Sequence, residues 1–137
     1  MLTAKQIELV QNTWQTITPV SQQMGESFYS RLFQKFPELK PMFKSDPKDQ
    51  AMKLMFMISY LVHRLGSFDD LKDEIIKLAS RHSGYGTKNE HYAAVGDCLL
   101  ATLKESLGKS WTKETEAAWS DTYALISGLM QQAQGAK

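Results

Sequence analysis

Four side chains of types that could do chemistry stand out in this chain: Tyr29, Phe43, Gln50 and His82. His82, in LASRHSGYG, follows Leu71 by eleven residues and so falls on the helical stripe of Leu71, Ile75 and Leu78, where an aliphatic side chain is expected. Gln50 lies one turn before Leu54 on nearly the same face. Tyr29 belongs to GESFYSRLFQKFPELKPMF, residues 25 to 43, a stretch holding five aromatic rings and two prolines. In a helix, Tyr29 and Phe33 share a face with Phe28 and Leu32 beside them, and that face is apolar except for one hydroxyl. Taken alone, His82 reads first as a buried imidazole satisfied by a hydrogen bond. Taken together, an imidazole on one side, two donors opposite it and an aromatic wall describe a site for a flat apolar cofactor with an axially ligated metal. Haem is such a group: its iron takes a histidine on one side, and donors on the other side govern the sixth ligand.

Other chemistries find little support. Phosphate-loop, dinucleotide and zinc-cluster patterns are absent, and one cysteine with three dispersed histidines builds no Cys/His zinc site. His63 lies thirteen residues from Gln50, about 220° around a helix and roughly 20 Å along it, so it cannot serve from the same side; it is expected at the surface or between helices. His91 adjoins a helix start and is expected in solvent. Met52, Met55 and Met57 could suggest a thioether ligand, but methionines on an apolar helix are more commonly core filler. Sixteen Lys and Arg against fifteen Asp and Glu, interleaved, leave a net charge of +1 and no basic footprint for nucleic acid. The longest apolar stretch, Leu54 to Val62, is too short to span a bilayer, and the N-terminus has no long apolar h-region. Cys98 sits in an apolar-periodic run, as a buried thiol in a reducing compartment would. A cytoplasmic protein, a monomer or weak dimer with no membrane association, is expected.

The elements that must position these residues are all helical. At 137 residues the chain is expected to form one domain, 1–137, burying roughly 70 per cent of its unfolded surface. Thr3 with Gln6 signals a capping box before Ile7, Val10, Trp14 and Ile17. Thr18-Pro19 predicts the start of a second helix ending before Pro37, and Asp46-Pro47 the start of a third reaching Gly66. Ser67, Asp69 and Asp70 predict a fourth, and Asn89-Glu90 a fifth closed by Gly108. Thr112 predicts the cap of a last helix fraying from Gln131 into a polar tail. No segment alternates with period two, so the fold class is all-α.

The segments FYSRLFQKFPELKPMF, DQAMKLM, RHSGYGTKNEHYAAVGDCLLATL and AWSDTYALISGLM, in this order and at these separations, resemble the bacterial globins: the single-domain haemoglobins and the globin part of the flavohaemoglobins. The resemblance covers essentially all of residues 1 to 133. It implies a globin fold of six to eight helices around a haem pocket, with haem b (iron protoporphyrin IX) as cofactor. It further implies His82 as the metal ligand, Phe43 stacked on the haem plane and Pro37 turning the chain toward that ring. Tyr29 and Gln50 are the implied distal donors, with Leu54 beside the ligand. Tyr92 matches a tyrosine near the ligating histidine, Val95 and Leu99 would pack on the porphyrin, and Gly25 resembles the small residue where two helices cross closely. Lys53 and Arg81 are candidates for the haem propionates and equally for solvated positions. The sequence departs from the flavohaemoglobin pattern where a late glutamate is matched by Gln134, a neutral amide that cannot give the imidazole the same anionic character. It also ends where the flavin and nicotinamide domains of that family would follow.

The function so implied is reversible binding of O2, with NO and CO as further ligands, in the manner of an oxygen-transport protein. An alternative is nitric oxide detoxification by a dioxygenase reaction fed by an external reductase. A gas sensor or a haem-free helical interaction module is the competing class.

Overall fold

In the computed structural model, residues 2–43, 46–84 and 89–135 are described, apart from the side chains at 68, 82–84, 89 and 134–135. Six α-helices carry the chain: α1 (Ala4–Ile17), α2 (Ser21–Lys35), α3 (Pro47–His63), α4 (Phe68–Gly84), α5 (Asn89–Leu107) and α6 (Lys113–Gly135). Short 3-10 segments at Thr18–Val20, Pro37–Met42 and Gly108–Ser110 join them. Among the described residues there is no strand, so the all-α expectation holds.

Most helix ends follow their local chemistry. The Thr3 hydroxyl accepts from the Gln6 amide N–H while the Gln6 side chain accepts from that of Thr3, a reciprocal capping box. Asp46 accepts from Lys48 N–H at 2.9 Å, with Pro47 at the first helical position of α3. Gly108, at φ 53°, reverses the chain after α5, in a region of backbone space that glycine enters without a Cβ clash. Thr112 accepts from Thr115 N–H at 3.1 Å to start α6. Three ends differ from expectation. α3 closes at His63, short of Gly66, because the Arg64 and Leu65 N–H groups bond three residues back, to the Leu61 and Val62 carbonyls at 3.1 and 3.3 Å. Thr18-Pro19 opens the 3-10 turn, and α2 begins at Ser21, because the Thr18 hydroxyl bonds backward to the Trp14 carbonyl at 3.0 Å instead of capping forward. The last helix does not fray at Gln131 but runs to Gly135, its apolar positions Met130 and Ala133 still packed on the core.

Packing assigns each helix its neighbours. α2 lies across both α3 and α5, α1 packs on α6 and α3, and α6 also receives α4 and α5. Consecutive helices α3 and α4 share no extended contact among the described residues, each being held from its own side. The Trp14 and Trp119 rings stand 6.0 Å apart, and their indole N–H groups donate to Ser59 and Thr13, tying α1 to α3 and α6 without orphaned polar groups. Arg31 on α2 donates to Thr102 at 2.7 Å and Glu105 at 2.8 Å on α5.

Gly25 of α2 makes a close backbone approach to α3. A Cβ added there would stand 2.9 Å from the Ala51 Cβ and 3.0 Å from the Ala51 carbonyl oxygen, so two backbones meet where a side chain cannot fit. Gly25→Val is therefore expected to destabilise the fold by about 2 kcal/mol or more in urea unfolding, through overpacking. Gly66→Ala, where nothing stands within 4 Å of the added atom, should change stability by less than about 0.5 kcal/mol.

Candidate functional site

One turn beyond Gly25 on α2 comes Tyr29, whose ring is 7% exposed. It is walled by aromatics: Phe28 edge-on at 5.0 Å, Phe33 at 5.8 Å and Phe43 edge-on at 5.4 Å, with Phe33 and Phe43 themselves 5.4 Å apart. Tyr29, Phe33 and Phe43 thus form a closed triangle in the tilted and edge-to-face geometry that aromatic quadrupoles favour. Phe43 reaches this position from the end of the Pro37–Met42 turn, which Pro37 begins. The ring-rich segment of the sequence is one cluster.

The Tyr29 hydroxyl makes no hydrogen bond among the described residues, and no charge acts on it. Burial alone pushes its pKa up to about 12. It is a neutral donor held in an apolar place.

α3 brings the remaining distal candidates. Ala51, Met55 and Val62 form its buried face, Ala51 meeting Gly25. Gln50, Leu54 and Met57 lie about a quarter-turn around the helix from that face and are half-buried, with Leu54 and Met57 packed on the core. Lys53 is exposed, as is Arg81 near the end of α4. His82 lies within α4, but its side chain is outside the described residues, as is that of Gln134. Of the α5 residues, Tyr92 and Leu99 are buried and Val95 is half-buried against the core.

α5 is fixed by a contact that sequence reasoning missed. Tyr123 of α6 donates its hydroxyl to the Tyr92 carbonyl at 2.5 Å, and its ring lies over Gly96, where an added Cβ would come within 2.6 Å of a ring carbon. The signal was a glycine inside a helix, which commonly marks close packing. Burial, aided by nearby Tyr92 and Asp97, raises the Tyr123 pKa, and burial raises that of Tyr92 as well. Cys98 is fully buried as expected, and burial pushes its thiol pKa up.

The other histidines separate. His63 is exposed beside a cleft of about 410 Å³ between α1 and α3, as its spacing required. His91 is half-buried and engaged with a neighbour, not free in solvent, because the first turn of α5 already lies against the body of the fold. Of the three methionines read as core filler, Met55 is buried and Met57 half-buried, but Met52 stands in solvent.

The donor set suits a flat, apolar, metal-bearing group. A hydroxyl with no protein partner among the described residues, on a largely buried ring, fits a polar ligand that arrives with such a group, and the surrounding rings fit its apolar faces. Among the described residues no cluster of His, Cys, Asp and Glu could hold a bare metal ion.

Comparison with known proteins gives a consistent result. The model of the globin family matches residues 26–130. Neuroglobin of Chaenocephalus aceratus is 28% identical over 96% of this chain and 91% of its own. The flavohemoprotein of Bacillus subtilis is 31% identical over 93% of this chain, which spans 33% of that longer protein. A bacterial globin from Campylobacter jejuni superposes with a TM-score of 0.85 at 26% identity, covering 98% of this chain and 97% of that one. An engineered carbene transferase made from a putative nitric oxide dioxygenase of Rhodothermus marinus gives a TM-score of 0.89 over 99% of this chain and 95% of its own. At 23% identity its likeness is one of fold.

The Tyr29 shift has a consequence for stability. A tyrosine in the unfolded chain ionises near 10.0, whereas folded Tyr29 holds its proton to about 12. The folded state is therefore unaffected by this group below pH 10 and loses stability as pH rises through that window. Tyr92 and Tyr123 act in the same direction. Tyr29→Phe is expected to lessen, without abolishing, the fall in urea midpoint between about pH 9 and about pH 11.5.

Proposed function

The chain belongs to the globin family, and from that membership we propose that it binds haem b and reversibly takes up a diatomic ligand, O2 first. The observation that carries this reading is the unpartnered Tyr29 hydroxyl inside the aromatic triangle. In the proposal haem lies between α3 and α4, the two consecutive helices held from opposite sides. When bound, haem would supply an iron able to take up O2, CO or NO.

The residues divide the work. His82 would hold the iron from α4. Phe43 would lie against the macrocycle, Leu54 beside the ligand, and Val95 and Leu99 along the porphyrin. Tyr92 would steady the His82 side, itself fixed through its carbonyl by Tyr123. Lys53 and Arg81, both exposed, would reach the propionates at the solvent edge. Tyr29 and Gln50 would donate hydrogen bonds to the diatomic ligand, favouring one that carries negative charge. Each hydrogen bond to a charged acceptor contributes roughly 1.5–3 kcal/mol. Because Tyr29 has no competing partner and keeps its proton to about pH 12, that bond needs no rearrangement of the protein. CO, less polar when bound, gains less.

A second reading is favoured by the likeness to flavohemoproteins. In it the same donors hold O2 for attack by nitric oxide, and O2, NO and one electron give nitrate. In that reading the electron would come from a separate reductase. Cytoplasmic placement accords with either reading and with the buried thiol of Cys98.

Three outcomes test the proposal. Protein purified with haem supplied should show a near-stoichiometric Soret band that is lost or strongly altered in His82→Gly; a wild type without haem would refute it. Tyr29→Phe should raise the O2 off-rate by about tenfold to a hundredfold, and the CO off-rate far less, in stopped-flow measurements; equal effects would overturn the donor assignment. Sustained NO consumption should appear with an added reductase and not with NADH alone.

A further inference from the structure

Of the large apolar side chains exposed on the described surface, three share one stripe of α3: Met52, Phe56 and Tyr60. Phe56 is the most exposed of them, at 71%. Spaced four apart, they lie on a face about a third of a turn or more from both the Gly25 contact and the Gln50 and Leu54 side. A contiguous apolar stripe in solvent marks a contact surface.

Its arrangement names the occupant. Asp49, seven residues before Phe56, and Arg64, eight after it, lie about 10 and 12 Å from it along the axis. Both fall on the same flank of the stripe, together with Lys53 and Tyr60. Arg64 is held there by stacking on the Tyr60 ring, 3.4 Å from the centroid, and by donating to the Tyr60 carbonyl at 3.2 Å. Neither Asp49 nor Arg64 forms an ion pair among the described residues. A two-fold contact demands that residue i meets j while j meets i. If a second α3 packs antiparallel about Phe56, each Asp49 faces Arg64 of the other copy, and Met52 and Tyr60 flank the central rings. The helix dipoles are then also opposed.

We propose that the protein self-associates through this face, as an isologous dimer in which two copies of α3 pair antiparallel about Phe56. A single helix pair buries less than the roughly 1,200 Å² of a standard stable interface, so half-association is expected on the order of 0.1 mM. The Gln50 and Leu54 side of α3 stays free in the pair. The dimer stands independently of the ligand assignment.

Sedimentation velocity on the full chain, from about 5 µM to about 1 mM, tests this. The wild type should pass from monomer toward dimer, and Phe56→Asp should weaken association at least about tenfold, with its circular dichroism melt unchanged because the ring is in solvent. Asp49→Arg and Arg64→Asp should each weaken self-association several-fold. Mixed one to one they should associate at least as well as wild type, since both ion pairs are then restored. A wild type that stays monomeric to about 1 mM would leave the face to another occupant and overturn the proposal. So would a Phe56→Asp protein that still dimerises, or a mixture that stays monomeric while wild type pairs.

Discussion

The contact between Gly25 and Ala51 is the constraint on which the arrangement depends. Because neither residue projects beyond a Cβ, α2 and α3 approach at backbone distance, and their relative rotation is set there. With Ala51 against α2, the helical period turns Met55 and Val62 inward, Gln50, Leu54 and Met57 to one side, and Met52, Phe56 and Tyr60 to solvent. Tyr29, one turn past Gly25, is carried along on α2 with its rings. One small-residue crossing thereby orients a packing face, a candidate ligand face and an exposed stripe.

A second close contact plays the corresponding role on the other side of the molecule. Gly96 admits the Tyr123 ring, and the Tyr123 hydroxyl takes the Tyr92 carbonyl, so α5 is pinned in rotation and in height along α6. Tyr92, Val95 and Leu99 share that orientation. Arg31 joins the two halves by bridging α2 to Thr102 and Glu105 of α5, and Thr102 in turn bonds the Cys98 carbonyl at 2.7 Å. In both places glycine sits inside a helix, where it costs about 1 kcal/mol relative to alanine. That cost is offset by side-chain or backbone packing that any Cβ would prevent.

Much of this was legible because helix ends are written locally. The capping box of Thr3 and Gln6, the Asp46-Pro47 start and the Gly108 reversal are decided by residues within four positions of each other, and they folded as read. The Gly25 crossing came from the family resemblance, not from any local rule. Where a local signal had a competitor, it failed: Thr18 could cap forward or bond back to Trp14, and it did the latter. What needed three dimensions was not legible. Periodicity placed Met52, Met55 and Met57 on one apolar helix, yet the width of the face that α2 and α1 cover decides which of them is buried, and Met52 falls outside it. The Tyr123 contact was illegible for the same reason, since its partner, the Tyr92 carbonyl, lies 31 residues away in sequence.

The energetics of Tyr29 bear on why such a residue stands there. A phenylalanine would keep the ring contacts with Phe28, Phe33 and Phe43 and carry no polar group into an apolar wall. No group of the described fold accepts from the Tyr29 hydroxyl, and its oxygen is not among the fully enclosed polar atoms that lack a partner, so it keeps contact with solvent. Ring packing alone therefore gives no reason for the oxygen. The hydroxyl makes sense as a donor held ready for an acceptor that the protein itself does not supply. The aromatic triangle then fixes the ring so that little entropy is lost when the acceptor arrives. In the globin reading that acceptor is O2, which would meet a donor already held in place by its ring contacts.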